Sequence, residues 1–328
     1  MPKAKAIRIR EPGGPDVLGI GEIEIPKPGP TQVLVEVAAA GLNRADCLQR
    51  RGFYPAPPGV PADVPGLELA GVVEAVGDRV ARWKAGDQVM GIVAGGAMAT
   101  RVVTEADELM RVPKQVSLEE AAAIPEVFLT AYDAIVLQGN LQAGGALLVH
   151  AVASGVGTAA IQLAAVLHAT SVGTSRTAHK LPRCTELGLS HAVLVEDGQF
   201  ADTVLAAAPK GVDVILDTVG AAYLNQNVEV LAPKGRLIVI GLMGGVQGDL
   251  NLGALLSKRG SIVGSVLRSR SSAEKAELTS AFAAQMLGRF NSGELRPIVD
   301  EVLPMSEVQQ AHRRMEANET FGKIVLRW

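Results

Sequence analysis

Over the first third of the chain, apolar residues fall into short runs broken by proline and glycine. The runs are Ala6-Ile7-Arg8-Ile9, Gln32 to Val37, Leu69 to Val76 and Gln88 to Val93. Turn-forming stretches such as Lys27-Pro28-Gly29-Pro30 and Pro55-Ala56-Pro57-Pro58-Gly59 stand between them. Many short strands with turn signals between them predict a compact, mostly β domain over residues 1–122. This stretch carries no parallel-sheet signature.

The pattern changes near Ser117. Ser117-Leu118-Glu119-Glu120 spells a capping box that opens a short helix. Pro125 stops that helix and suits the first position of the next, running through Phe128, Thr130 and Ile135. Strands and helices then alternate: strand 145–151, helix 157–168, strand 170–174, helix 178–187, strand 192–195, helix 200–207 and strand 212–217. Two further apolar runs, 236–241 and 261–267, complete the series. Apolar β runs interleaved with helices predict a doubly wound parallel sheet over residues 123–267. Residues 268–328 are too few for a third domain. They open with a second capping box, Ser271-Ser272-Ala273-Glu274, before a helix through Phe282 and Met286. A helix around 306–317 and a β run, Gly322-Lys323-Ile324-Val325-Leu326, follow, and this tail is expected to complete the β domain.

From Ala134 to Ser175 there is no Asp, Glu, Lys or Arg, which imitates a membrane span. Gln138, Gly139, Asn140, Gly144, Gly145, His150, Gly155 and Gly157 cut it into pieces shorter than the roughly 20 apolar residues a spanning helix needs, so it reads as the buried heart of an α/β domain. The 31 Lys+Arg nearly balance the 34 Asp+Glu, which argues against a nucleic-acid partner. Two cysteines, Cys47 and Cys184, are too few for a disulfide scaffold or a four-cysteine zinc lobe. With no basic-then-apolar leader, a cytoplasmic enzyme is the expectation.

The 36 glycines are in excess, and some have a specific address. Ser154-Gly155-Val156-Gly157-Thr158-Ala159-Ala160 is a G-x-G-x-x-A match between a strand and a helix. The first glycine permits the tight turn, the second lets a pyrophosphate approach the backbone, and Ala160 lets helix and strand pack closely. A plain glycine turn is the competing reading, and the strand before with the helix after favours a dinucleotide cradle. About 20 residues on, an NAD enzyme would place a carboxylate. This chain has Thr174, Ser175, Arg176 and Lys180 there, which suit a 2′-phosphate, with a solvated first helical turn as the alternative. NADPH is the expected cofactor. His150, on the first strand, reads as a satisfied buried histidine rather than a catalyst.

With these motifs placed, the whole chain resembles the medium-chain dehydrogenase/reductase superfamily, a GroES-like β domain joined to a Rossmann nucleotide-binding domain. Ala39 to Asp46, the glycine-proline loop around Tyr54, Val64 to Gly71 and Ala85 to Val89 resemble its zinc-independent quinone oxidoreductase branch. Gly241-Leu242-Met243-Gly244-Gly245, Leu267-Arg268-Ser269-Arg270 and Met315-Glu316-Ala317-Asn318 are similar to a narrower group, the NADPH quinone oxidoreductases known in animals as tumour-suppressor-inducible. Zinc alcohol dehydrogenases carry a Cys ligand where this chain has Asn43, and Gly-His-Glu where it has Gly66-Leu67-Glu68. An amide and a leucine do not replace a thiolate and an imidazole, so no metal site is expected.

What the resemblance implies is hydride transfer from NADPH to a quinone or conjugated enone. It places Asn43, Tyr54 and Thr130 around the nicotinamide, with Asn43 and Tyr54 as the catalytic pair. Val152, Ser154, Gly155, Val156, Gly157 and Thr158 would cradle the pyrophosphate, and Thr174, Ser175, Arg176 and Lys180 the 2′-phosphate. Gly241, Leu242, Met243, Leu267, Arg268 and Ser269 would flank the nicotinamide and pyrophosphate. Two departures stand out: Val195 occupies the place of a phosphate-contacting tyrosine, and Pro182 falls where relatives run an uninterrupted helix. An enoyl-thioester reductase of the same fold and a catalytically idle, crystallin-like NADPH-binding protein are the alternatives. The resemblance also implies a homodimer, joined through the apolar strand 261–267.

Overall fold

The computed structural model describes residues 2–328, which form two compact units, 2–129 with Leu267–Trp328, and Thr130–Val266. In the first unit, Lys3–Ile9 and Leu18–Glu24 make an antiparallel pair. The larger sheet runs in the order Val299–Pro304, Lys323–Arg327, Gln32–Gly41, Glu68–Val76, Gln88–Ile92 and Leu109–Arg111, with Arg101–Glu105 also paired to Gln32–Gly41. The tail therefore completes the β domain, because its last strand lies antiparallel to Gln32–Gly41 with Val325 opposite Gly41. The apolar runs read in the sequence bury Val33, Val35, Val37, Leu69, Val73 and Val89 in one core with Ile324 and Leu326.

This unit extends to Leu129 because Ala121 to Ile124 and Val127 to Leu129 are buried in it. Phe128 meets Phe290 edge-on at 4.9 Å, on the helix Ser272–Ser292. Both capping boxes are formed: Glu120 N–H donates to Ser117 Oγ and Glu274 N–H to Ser271 Oγ, with the reciprocal bonds to the Glu side chains.

The second unit is a six-stranded parallel sheet in the order His191–Leu194, Thr170–Ser175, Ala146–Val149, Val212–Asp217, Leu231–Val239 and Ser261–Gly264. Numbered along the chain this is 3-2-1-4-5-6, a doubly wound parallel sheet as the alternation of strands and helices predicted. The uncharged stretch becomes a strand, the helix Gly155–Val166 and a second strand. Among the described residues no helix is long and apolar enough to cross a membrane.

Three local readings differ. The helix expected through Ile135 is α-helical only over Pro125–Tyr132 and continues as a π-helix, Asp133–Gln138, closed by Gly139 N–H on the Ala134 carbonyl. The last strand stops at Gly264, before Ser265. Pro182 does not interrupt a helix: Leu181–Glu186 begins with it in the first turn, where its missing N–H costs nothing.

Candidate active site

In the second unit, the glycine-rich loop leaves the strand Ala146–Val149 through Ala151, held at φ +49°. Ser154 is the N-cap of Gly155–Val166, its hydroxyl accepting from Gly157 N–H at 3.1 Å. The first N–H groups of such a helix have no intrahelical acceptor, and they face outward from the carboxyl edge of the sheet. A Cβ at Gly157 would lie 2.4 Å from the Val152 carbonyl oxygen and 2.7 Å from that of Ala151. Whatever a pyrophosphate's approach would require, the chain's own carbonyls already demand glycine here. Val152 is buried, and Thr158 turns its hydroxyl inward onto the Gly155 carbonyl at 2.9 Å. Of the predicted cradle, Ser154 and Val156 keep partly exposed positions.

Beneath this loop His150 is fully buried, with Nδ1 2.8 Å from Thr174 Oγ1 and Nε2 2.6 Å from Asn227 Oδ1. Asn227 uses Nδ2 on Asp217, so its oxygen faces the ring, His150 Nε2 carries the proton, and Nδ1 accepts from the Thr174 hydroxyl. Burial pushes the His150 pKa down to about 4, against a smaller upward effect of the Asn227 hydrogen bond. The unfolded chain binds a proton near pH 6.5 and the folded chain does not until about pH 4, so stability contributed by neutral His150 is present above 6.5 and lost on acidification. We expect the stability advantage of the wild type over His150→Gln to shrink by about 3 kcal/mol between those limits, measured by urea unfolding at each pH. An advantage independent of pH would contradict this network.

The adjoining strand ends in Asp217-Thr218-Val219-Gly220, a turn the sequence reading passed over. Asp217 accepts from Val219 N–H at 2.6 Å and from Gly220 N–H at 3.1 Å, and burial raises its pKa to about 6 despite these bonds. The turn is stitched to Gly241–Gly245 by Met243 N–H on Thr218 O and Gly244 N–H on Val219 O. Leu242 and Met243 are thereby half-exposed at the same carboxyl edge of the sheet. Thr218 Oγ1 is buried there without a hydrogen-bond partner. An orphaned hydroxyl beside two glycine turns and a helix N-terminus suits a dinucleotide.

At the end of Thr170–Ser175, Ser175 forms a local turn with Thr177, Arg176 is exposed, and Lys180 is buried. Thr174 is spent on His150. Val195 is core. Thr130, on the helix Pro125–Tyr132, is partly exposed.

The first unit contains a buried polar cluster. Asn43 precedes the helix Arg44–Arg50, and its N–H donates to Asp46 Oδ2 at 2.8 Å. Asp46 Oδ1 accepts from Gly66 N–H at 2.8 Å; burial still raises its carboxyl to about 6. The Asn43 amide donates to Glu68 Oε1 at 2.9 Å and accepts from Lys323 Nζ at 2.7 Å. Lys323 also donates to the Leu42 carbonyl and pairs with Glu68 at 2.5 Å, with both side chains almost wholly buried. The second Glu68 oxygen accepts from Glu126 N–H at 2.9 Å. An ammonium ion thus already neutralises Glu68, and the Asn43 oxygen faces that ammonium. This donor set does not fit zinc: it offers no thiolate or imidazole, its buried carboxylate Glu68 is already paired with an ammonium, and that cation would repel the metal. Glu68, Glu126 and Lys323 had no assigned role in the sequence, although a charge inside an apolar strand, as at Glu68 and Lys323, signals a buried partner.

Tyr54 sits on its loop half-buried, its hydroxyl without a protein partner among the described residues. Burial raises its pKa, and the nearby Glu126 carboxyl adds to this. Arg268 is buried beneath it, 5.0 Å from the ring centroid, donating to the carbonyls of Tyr54 and Ala94 and to Gln49 Oε1. Its guanidinium therefore fixes the Tyr54 loop and is not held out towards a pyrophosphate. Leu267 is buried, and Ser269 is exposed.

The alcohol dehydrogenase GroES-like domain matches residues 29–114, and the zinc-binding dehydrogenase domain matches residues 155–284. The human synaptic vesicle membrane protein VAT-1 homolog is 33% identical over 315 residues, 92% of this chain and 80% of that protein. Quinone oxidoreductase from Lama guanicoe is 33% identical over 328 residues, covering 98% of this chain and 97% of that one. The structure of Escherichia coli quinone oxidoreductase complexed with NADPH superposes with a TM-score of 0.89 at 28% identity, over 99% of this chain and 100% of that chain. CurK enoyl reductase superposes with a TM-score of 0.87 at 30% identity, over 99% of both chains.

Proposed function

Because the chain belongs to the quinone oxidoreductase family of the medium-chain dehydrogenases/reductases, we propose that it reduces a quinone or conjugated enone with NADPH and without zinc. The observation that carries this reading is the Lys323 ammonium bonded to Asn43 and Glu68. With that cation built in, the acceptor must already be electrophilic, as a quinone or enone is. NADPH supplies the hydride when bound. Ser154, Gly155, Val156 and Gly157 would hold its pyrophosphate through the helix N-terminus, Arg176 and Lys180 its 2′-phosphate, and Gly241 to Met243 with Thr218 the edge beside them. Asn43, Tyr54 and Thr130 would serve the nicotinamide and acceptor, with Asn43 positioned by Lys323 and Tyr54 by Arg268.

The NADPH-bound relative supports the cofactor, and the quinone oxidoreductases support the acceptor class. The likeness to an enoyl reductase keeps a second reading open, an α,β-unsaturated thioester as acceptor. We expect the purified protein to oxidise NADPH with small quinones or enones, faster than NADH, at a rate unchanged by chelators. Preference for a crotonyl thioester would favour the second reading, while loss of turnover on chelation, restored by zinc, would overturn the metal-free mechanism.

A further inference from the structure

Glu126 is a carboxyl the reading so far leaves without a task. It is the second residue of Pro125–Tyr132, and its N–H is held by Glu68. Its carboxyl is half-buried and, among the described residues, makes neither a hydrogen bond nor an ion pair. Every neighbouring carboxylate is otherwise engaged: Glu68 by Lys323, Asn43 and Glu126 N–H, and Asp46 by Asn43 and Gly66 N–H. The backbone of Glu126 is tied to Glu68, which in turn holds the Asn43 amide, and its carboxyl acts electrostatically on the Tyr54 hydroxyl, which likewise has no protein partner among the described residues.

We propose that Glu126 is the acid that protonates the acceptor oxygen during reduction, a role that rests on the quinone or enone reading. The acceptor gains two electrons and hydrogen as the hydride that NADPH loses, leaving an oxyanion and NADP+. The Glu126 O–H bond breaks as the acceptor O–H bond forms, and solvent water returns a proton to the carboxylate, giving NADPH + acceptor + H+ → NADP+ + reduced acceptor.

The surroundings suit the task. Burial pushes the Glu126 carboxyl up to about 8, Glu68 and Asp46 push the same way, and Lys323 and Arg268 oppose them. The group is thus protonated at neutral pH yet acidic enough to give the proton up, the balance that favours general acid catalysis. The Tyr54 hydroxyl is shifted the other way from neutrality, above its ordinary value near 10. That leaves it suited to orienting the acceptor by a hydrogen bond.

The test compares wild type, Glu126→Gln and Tyr54→Phe with NADPH and a small enone or quinone across pH, together with carboxyl-carbon NMR of glutamate-labelled protein. Wild-type kcat should fall above about pH 8, and Glu126→Gln should lower kcat at neutral pH by about 100-fold and lose that limb. NADPH affinity, read by fluorescence titration, should stay within about two-fold, as the carboxyl contributes little ground-state binding. One glutamate resonance, missing in Glu126→Gln, should titrate well above the ordinary carboxylate range. Wild-type kcat and pH profile in Glu126→Gln, transfer of the limb's loss to Tyr54→Phe, or titration of that resonance in the ordinary range would each overturn the assignment while leaving the reductase reading intact. A wild type inactive with every quinone and enone would remove both.

Discussion

Lys323→Met is expected to destabilise the first unit by about 3–5 kcal/mol, the cost of stranding a buried carboxylate. Glu68 is wholly buried, and its Oε1 accepts from both Lys323 and Asn43. Methionine keeps most of the lysine stem and removes only the charge and its three donors, so lost packing contributes little. The Leu42 carbonyl and the Asn43 oxygen lose their donor together. Because Trp83 and Trp328 both lie in this unit, tryptophan fluorescence during urea unfolding reports on it directly. A second change, Glu68→Gln, should recover at least half of the loss, since a neutral amide still accepts from Asn43 and leaves no charge unpaired. If the double variant is no more stable than Lys323→Met, the ion pair is not what the methionine disrupts. With the Asn43 amide released, reductase activity in the single variant should fall even in the folded fraction.

That cluster also marks the limit of what the sequence could say. The doubly wound unit was legible because each strand is an apolar run and each helix carries its own start signal, all within a few residues. The tail's return to the β domain was legible because a lone apolar strand needs a sheet. The Glu68–Lys323 pair was not, because its members sit on strands from opposite ends of the chain that meet only through Gln32–Gly41. Motif comparison found Asn43 as a missing ligand, but not that an ammonium stands beside it. Arg268 was assigned by resemblance to the cofactor's flank, and nothing local reveals that three acceptors on Gln49, Tyr54 and Ala94 take its donors. The stretch through Ile135 reads as ordinary helix because a π turn, here from Asp133, differs only in which carbonyl accepts. Buried polar partnerships are three-dimensional, and periodicity records only which face is apolar.

Gly157 joins a local motif to a non-local constraint, and Gly157→Ala is expected to weaken NADPH binding at least about ten-fold while costing about 1–3 kcal/mol of stability, the usual range for overpacking. All three atoms nearest the added methyl belong to the backbone of Ala151 and Val152, at 2.4 to 2.7 Å, so no side-chain rotation relieves the clash. Relief must come from moving the helix N-terminus away from the strand, which misaims the N–H groups of Gly155 and Val156 and strains the Ser154 cap. Elsewhere the same substitution should act oppositely. Gly288 lies within the helix Ser272–Ser292 with nothing within 4 Å of an added Cβ, so Gly288→Ala should stabilise by about 0.5–1 kcal/mol through helix propensity and leave NADPH affinity unchanged. Fluorescence titration with NADPH and urea unfolding on both variants separate steric displacement of the cradle from a general effect of adding a methyl group. Wild-type affinity in Gly157→Ala would mean that the nucleotide is not held by this helix N-terminus.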